Sequence, residues 1–288
     1  MTWRPTALTH TAAVIGSPVR HSLSPLIHNA AFRALDLNWV YLAHEVRAGA
    51  GAAAVEAMRT FGLGGMNVTM PLKAEVAAAV DRLSPAAEAL DAVNTVVWQG
   101  DRLFGETTDG SGFVDALRVD EGFDPAGARC VVLGAGGAGR AVVHALAAAG
   151  AAEVVVINRT EGRGRRAAEL AGPAGRLGTA EDVGAADLLV NATPVGMRST
   201  PGDGALPVDV GCLHERMVVV DLVYEPLSTP LLDAARSVGA VAVTGIGMLV
   251  HQAAHAFRLF TGEQPPVEVM SAAALAELSA RQGAPESD

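Results

Sequence analysis

The chain has 288 residues, of which half are apolar and 18% charged, with a net charge of −10. A chain of that size buries roughly three quarters of its unfolded surface, and the composition is too apolar and too weakly charged for disorder. The acidic balance argues against partnership with nucleic acid or an anionic membrane surface, and no apolar run reaches the ~20 residues that cross a bilayer.

In chain order, residues 12–15 read as a strand that stops at Gly16. Ser24-Pro25 reads as an N-cap followed by proline at the first helical position. Leu26, Ile27, Ala30, Ala31, Ala34 and Leu35 supply that helix with a buried stripe. Residues 39–46 predict a second strand, 50–60 a helix and 65–69 a third strand. Next come a helix after Pro71, a helix capped by Ser84 before Pro85, and a hairpin pairing 94–98 with 103–107 across Gly100-Asp101. This first stretch is an α/β unit without a glycine-rich phosphate loop. The N-terminal segment lacks a basic flank followed by an apolar run and a small-residue cleavage site, so no secretion signal is expected. Cys130 and Cys212 offer neither a disulfide framework nor metal-ligand spacing, so a reduced, cytoplasmic setting is expected and both read as small buried hydrophobes.

A helix beginning near residues 109–113 marks the boundary to a second stretch. There, residues 130–133, 153–157, 188–191, 218–222 and 241–243 are near-continuous apolar runs spaced for intervening helices. Such runs belong to a parallel sheet covered on both faces. The tail after Gly283 is expected to be disordered.

The segment Gly134-Ala135-Gly136-Gly137-Ala138-Gly139 follows the first of those strands and opens a helix over 140–149. That context is a dinucleotide fingerprint. One glycine permits the tight turn, the next lets the backbone approach a pyrophosphate, and the third lets helix pack on strand. The end of the following strand reads Asn158-Arg159-Thr160, where an NAD site would place a carboxylate for the ribose hydroxyls. Instead, Arg159, Arg163, Arg165 and Arg166 crowd the start of a helix, against its dipole, and an anionic partner offsets that cost. Arg165 and Arg166 read as a solvated face and Arg159 as the clamp for a 2′-phosphate. NADP is favoured over NAD.

Other segments carry chemistry-capable residues: Ser22-Leu23-Ser24, Asn67-Val68-Thr69-Met70-Pro71-Leu72-Lys73, Ala92-Val93-Asn94-Thr95 and Thr108-Asp109-Gly110. With the glycine loop, Asn158-Arg159-Thr160, Asn191-Ala192-Thr193, residues 221–226 and Gly245-Ile246-Gly247-Met248-Leu249 with Gln252, they closely resemble the shikimate dehydrogenase family, in order and over most of the chain. The resemblance implies two domains with the active site in the cleft between them. One is a Rossmann-like, doubly wound parallel-sheet NADP domain over 110–245. The other is an α/β substrate domain built from 1–109 plus 246–288. It implies reversible reduction of 3-dehydroshikimate to shikimate with NADPH, in aromatic amino-acid biosynthesis.

Carried onto this sequence, the resemblance makes Lys73 the catalytic lysine and Asp109 its partner. It puts Ser22, Ser24, Thr69, Asn94, Tyr224 and Gln252 on the substrate. It puts Gly134, Gly136, Gly137, Ala138, Gly139, Asn158, Arg159, Thr160, Arg163, Asn191, Thr193, Gly245 and Met248 at the cofactor. The physics agrees: hydride addition to a ketone creates an oxyanion that needs a proton, a lysine ammonium supplies it, and a carboxylate aims the lysine. Asp109 also reads as the N-cap of a helix over 110–117, and Ser24 serves equally as a cap. His21, His28, His251 and His255 read as helix-edge residues around the site, and no metal is expected. One departure from the family is Thr107, where the usual residue is Asn, which leaves room for a substrate variant. Two alternatives stand beside the main reading: a dehydrogenase of quinate or an amino-substituted analogue, and a non-catalytic NADP-binding sensor. Ser22 with Ser24, and Arg159, favour shikimate and NADP. A monomer or a homodimer is expected.

Overall fold

The computed structural model describes residues 5–197 and 206–283, so the tail after Gly283 lies outside the described residues. The chain divides into two compact units, Met1–Thr108 with Val250–Ser279, and Asp109–Leu249 with Ala280–Asp288.

The first unit runs β1 (His10–Gly16), α1 (Ser24–Ala34), β2 (Trp39–Glu45), α2 (Gly51–Phe61), β3 (Gly65–Val68), α3 (Lys73–Ala77), β4 (Arg82–Leu83), α4 (Pro85–Leu90), β5 (Thr95–Gln99) and β6 (Arg102–Glu106). Its six strands lie in the order β2-β1-β3-β5-β6-β4. β1 is parallel to β2 and β3, and β5 is antiparallel to β3 and β6, so the predicted hairpin is present with Thr95 opposite Glu106. One sheet face packs Ile15, Met66, Val68 and Val96 against Val55, Met58, Leu72 and Val76. Ser84 caps α4 as its sequence predicts, accepting from the Ala87 N–H at 3.1 Å.

Two expectations for α1 need correction. Ser24 is the first helical residue, Leu23 occupies the cap position, and no side chain caps the helix. The Ser24 N–H donates to Ser22 Oγ at 3.2 Å. The buried stripe is Ile27, His28, Ala31 and Phe32, while Leu26, Ala34 and Leu35 are exposed. Hydropathy favours the leucines, but the facing core is aromatic: His28 stacks on Tyr41, and Phe32 on Trp39. His28 is therefore a core residue, not a helix-edge one.

The second unit opens with α5 (Asp109–Asp115), which continues as a π-helical turn over Ala116–Asp120. Then come β7 (Arg129–Leu133), α6 (Gly137–Ala148), β8 (Glu153–Ile157), α7 (Glu161–Glu169), β9 (Gly175–Leu177), β10 (Leu188–Asn191), β11 (Val218–Asp221), α8 (Pro230–Ser237) and β12 (Val241–Thr244). All six strands are parallel, in the order β12-β11-β10-β7-β8-β9. Counted from β7, this is the 3-2-1-4-5-6 order of a doubly wound dinucleotide-binding sheet, whose strand order reverses between β7 and β10. β9, a three-residue Gly-Arg-Leu strand, has no apolar run to announce it. α9 (Ile246–Thr261) and α10 (Val267–Gly283) complete the chain. No helix among the described residues is long and apolar enough to cross a membrane.

Candidate functional site

In the first unit a buried polar network runs beneath the candidate substrate residues. The Tyr41 hydroxyl donates to Asn67 Oδ1 at 2.6 Å, and Asn67 Nδ2 donates to Thr95 Oγ1 at 2.9 Å. Thr95 Oγ1 donates to Asn94 Oδ1 at 2.9 Å, which also accepts the Thr108 N–H at 2.8 Å, while Asn94 Nδ2 donates to Thr108 Oγ1 at 3.0 Å. Asn67, Asn94, Thr95 and Thr108 are all buried. A buried polar group without a partner costs about 1–3 kcal/mol, so this mutual satisfaction fixes each amide in one orientation.

Lys73 opens α3 and is half-buried, and its carbonyl accepts the Val93 N–H at 3.0 Å. The lysine's backbone partner is thus the residue next to Asn94. Asp109 directly follows Thr108, whose N–H and hydroxyl Asn94 holds. Asp109 is the first residue of α5, inside its first turn, where the sequence expected a cap one residue before the helix. Ser22, Ser24, Thr69 and Gln252 are half-buried, on the segments around α1, after β3 and in α9.

In the second unit, the glycine loop joins β7 to α6. Gly134 has φ +102°, where a side chain would be strained and would meet the Ala192 carbonyl oxygen at 2.9 Å. At Gly139 a Cβ would overlap the Gly134 carbonyl and lie 3.4 Å from Ala192 Cβ. Gly136 and Gly137 are exposed, and a Cβ on either meets nothing within 4 Å. Half of the motif is consumed by packing, and the other half presents open backbone at a helix N-terminus, where unpaired N–H groups and the dipole favour an anion. Ala138 is half-buried in that first turn.

Arg159, Thr160 and Arg163 are exposed beside the start of α7. Arg165 pairs with Glu161 at 2.8 Å, whereas Arg159, Arg163 and Arg166 make no ion pair among the described residues. Open backbone at α6 and unpaired guanidinium groups at α7 together fit a phosphate-rich dinucleotide carrying an extra phosphate.

Several expected cofactor residues have their side chains occupied within the protein. Asn158 Oδ1 accepts the Ala135 N–H at 3.1 Å and its Nδ2 donates to the Thr160 carbonyl at 2.8 Å, bracing the glycine loop against the turn after β8. Fully buried Asn191 accepts from the N–H and hydroxyl of Thr193, and donates to the Val195 carbonyl and to Asp221 Oδ1 at 2.9 Å. Burial raises the Asp221 pKa despite its bonds from Thr229, Val223 and Asn191. These groups shape the loops that follow β10 and β11. Tyr224, on the second of those loops, is half-buried, and burial, then the Glu225 charge, raise its phenol pKa. Gly245 lies where a Cβ would meet the Leu222 backbone, and Met248 packs against the cluster containing Val132 and Val243.

Among the described residues no group of three His, Cys, Asp or Glu could hold a metal ion. The sequence reading singled out Asn67, Thr95 and Thr108 only as neighbours of other residues, and it missed Tyr41. One tyrosine in an apolar strand carries no signal of its own.

A doubly wound dinucleotide-binding unit with a glycine loop and unpaired arginines, joined in one chain to a unit whose Lys73 is tied by its backbone to the residue beside an ordered amide network, defines a dinucleotide-dependent oxidoreductase. Comparison with known proteins gives the particular family. Residues 14–96 match the shikimate dehydrogenase substrate binding domain, 119–194 the shikimate/quinate 5-dehydrogenase domain, and 245–275 the shikimate 5'-dehydrogenase C-terminal domain. The chain belongs to the shikimate dehydrogenase family. It is 46% identical over 282 residues to the NADP(+) shikimate dehydrogenase of Methanopyrus kandleri, covering 94% of this chain and 97% of that one. Among solved structures it resembles shikimate 5-dehydrogenase from Thermus thermophilus in complex with NADP(H) and shikimate (TM-score 0.86, 41% identity, 93% and 99% of the two chains). It also resembles quinate dehydrogenase from Corynebacterium glutamicum in complex with NAD (TM-score 0.85, 34% identity, 93% and 99%).

Proposed function

We propose that this chain catalyses the reversible, NADP(H)-dependent interconversion of 3-dehydroshikimate and shikimate. The observation that carries the reading is the near full-length identity with a relative named for that activity. Residues 1–109 with 246–288 form the substrate-binding part and 110–245 the NADP-binding part in this reading.

Gly136, Gly137 and Ala138 at the N-terminus of α6, with Arg159, Thr160 and Arg163, hold the cofactor's phosphates, and Met248 lies against its nicotinamide. NADPH bound there supplies a hydride. Ser22 and Ser24 hold the substrate carboxylate through their hydroxyls, and Thr69, Asn94, Gln252 and Tyr224 hold its ring hydroxyls. Lys73 gives its ammonium proton to the substrate oxygen as the carbonyl becomes an alcohol, and in reverse the neutral amine removes it. Asp109 orients that ammonium. Asn158, Asn191 and Thr193 act behind these contacts by bracing the loops.

The test is an initial-rate assay following nicotinamide absorbance, with shikimate and quinate each offered NADP⁺ and NAD⁺. Turnover confined to shikimate with NADP⁺ is expected. Faster turnover of quinate would move the assignment to the quinate branch of the family, and cofactor binding without turnover would make the chain a sensor. Lys73→Ala should lower kcat by about 10²–10⁴-fold, and near-normal turnover would remove the lysine from its role. Free thiols at buried Cys130 and half-buried Cys212 suit a reducing compartment, and a cytoplasmic enzyme, monomer or homodimer, completes the reading.

A further inference from the structure

Lys73 opens a helix of only five residues, Lys73–Ala77, and no side chain caps it. A helix that short does not hold itself in water. Its place, and with it the point where the lysine side chain leaves the backbone, is set by what the helix packs on. One anchor is apolar: Leu72, Val76 and Ala77 are buried in a cluster with Val55 and Met58 of α2. Such contact is strong but non-directional, and by itself it leaves a small helix free to slide or turn.

The other anchor is polar and directional, and the reaction above makes no use of it. Glu75 sends its carboxylate to the start of α2, where Oε1 accepts the Gly49 N–H at 2.8 Å and Oε2 the Gly51 N–H at 2.9 Å. α2 has no side-chain cap of its own and no acidic residue in its first turn. Glu75 thus supplies, from another helix, the acceptor and the negative charge that this N-terminus lacks. The approach is close as well as polar. A Cβ at Gly51 would lie 2.5 Å from Glu75 Cβ and 3.3 Å from the Glu75 carbonyl carbon, so α3 comes this near only because residue 51 has no side chain. The Gly49 N–H, then that of Gly51, hold the Glu75 carboxyl below its usual range, and the group stays charged at neutral pH. Glu75 is two positions on from Lys73, so the two side chains do not face each other on the helix. The link between them is the backbone of α3, tied at Lys73 to the Val93 N–H and at Glu75 to the start of α2.

We propose that Glu75 is a positioning residue for the reaction: its carboxylate clamps α3 to the N-terminus of α2 and thereby fixes the direction from which Lys73 reaches the substrate oxygen. This rests on the proposed shikimate reaction and on the part Lys73 plays in it. The lysine proton moves only in the chemical step, so a loosened α3 costs kcat and leaves the grip of Ser22 and Ser24 on the substrate as it was.

Glu75→Ala removes both acceptor oxygens and leaves a good helix former in place. With shikimate and NADP⁺, kcat should fall about 10–100-fold, the cost of misplacing a reacting group by up to about 1 Å, while both KM values stay within about threefold of wild type. The deciding comparison is the double variant. In a Lys73→Ala background, Glu75→Ala should lower kcat by less than about twofold more, because the clamp has no lysine left to aim. A merely structural carboxylate would cost the same in either background. An unchanged kcat in Glu75→Ala overturns the proposal, as does a loss carried by KM, or an equal loss with and without the lysine. If Glu75→Ala does not fold, Gly51→Ala presses on the same junction from α2, its methyl directed at Glu75 Cβ. A lower kcat at constant KM that vanishes in the Lys73→Ala background then supports the clamp, and a wild-type kcat overturns it. The levels of the argument separate cleanly. Wild type without shikimate turnover removes the proposed function and this inference with it, whereas an active wild type with an impaired Lys73→Ala and an indifferent Glu75→Ala removes the inference alone.

Discussion

His28 offers a quantitative test of how the first unit is built. Its imidazole is 1% exposed among Tyr41, Phe32, Phe257 and Phe260, and neither ring nitrogen has a hydrogen-bond partner among the described residues. Burial with no compensating contact lowers its pKa from 6.5 to about 3. The folded chain therefore refuses a proton that the unfolded chain accepts, and stability is lost as the pH falls below the unfolded value, continuing until about pH 3. At about 1.4 kcal/mol per pH step, two steps below 6.5 should cost the fold roughly 2–3 kcal/mol. The comparison that isolates this ring is wild type against His28→Leu, by urea unfolding at about pH 7.5 and about pH 4.5. The variant trades an aromatic stack for relief of two unsatisfied nitrogens, so the offset between the proteins at neutral pH is not the readout. The readout is the change in that offset: acid should weaken wild type more than the variant, by roughly 2–3 kcal/mol. Parallel pH dependence in the two proteins would show that the ring finds a partner or solvent on protonation, and the account of a dry aromatic core would fail.

Two further outcomes follow from the second unit. Arg159→Ala removes an exposed guanidinium without an ion pair among the described residues, so its loss should leave unfolding unchanged and raise KM for NADP⁺ about tenfold, the low end for a charged hydrogen bond, with little effect on NAD⁺; equal losses for both cofactors would sink the 2′-phosphate role. Gly139→Ala puts a methyl against the Gly134 carbonyl and Ala192, which should destabilise the chain by about 1–3 kcal/mol as overpacking does and weaken NADP⁺ in steady-state kinetics; a variant as stable as wild type would show that α6 can back away from β7.

Much of the architecture was legible because the signals were local. The strands of the second sheet are nearly unbroken runs of β-branched residues, as in Val154-Val155-Val156 and Val218-Val219-Val220, and each is buried. Parallel strands covered on both faces can be written in no other way. The Ser84-Pro85 cap and the hairpin before residue 107 were equally plain, since their chemistry lies within a few residues. Failures occurred where tertiary context decided. Ser24 looks like a cap from its neighbours, but the helix takes it in as its first residue, with Leu23 at the cap position and the Ser24 N–H donating to Ser22 Oγ. The α1 stripe shifted because an aromatic core accepts His28 and Phe32 on the face where hydropathy would place Leu26. β9 is held as the second parallel neighbour of β8, at the sheet edge, by backbone bonds that its three residues do not advertise.

The same distinction bears on Thr107, the one place where the sequence departs from its family near Asp109. Its side chain is not what places that segment. Glu106 accepts the Thr107 N–H at 2.7 Å and the Ser84 hydroxyl at 2.6 Å, while Ser84 is fixed as the cap of α4. One residue further, Asn94 holds both the N–H and the hydroxyl of Thr108. The backbone on the approach to Asp109 is thus clamped on each side of position 107 by groups that do not depend on what residue 107 carries. An amide exchanged for a hydroxyl there changes what the side chain of residue 107 can offer and leaves the path of the chain toward Asp109 as it was. Under the proposed function, the departure bears on selectivity for substrate groups, where a hydroxyl and an amide differ in donors and reach, and not on delivery of the carboxylate.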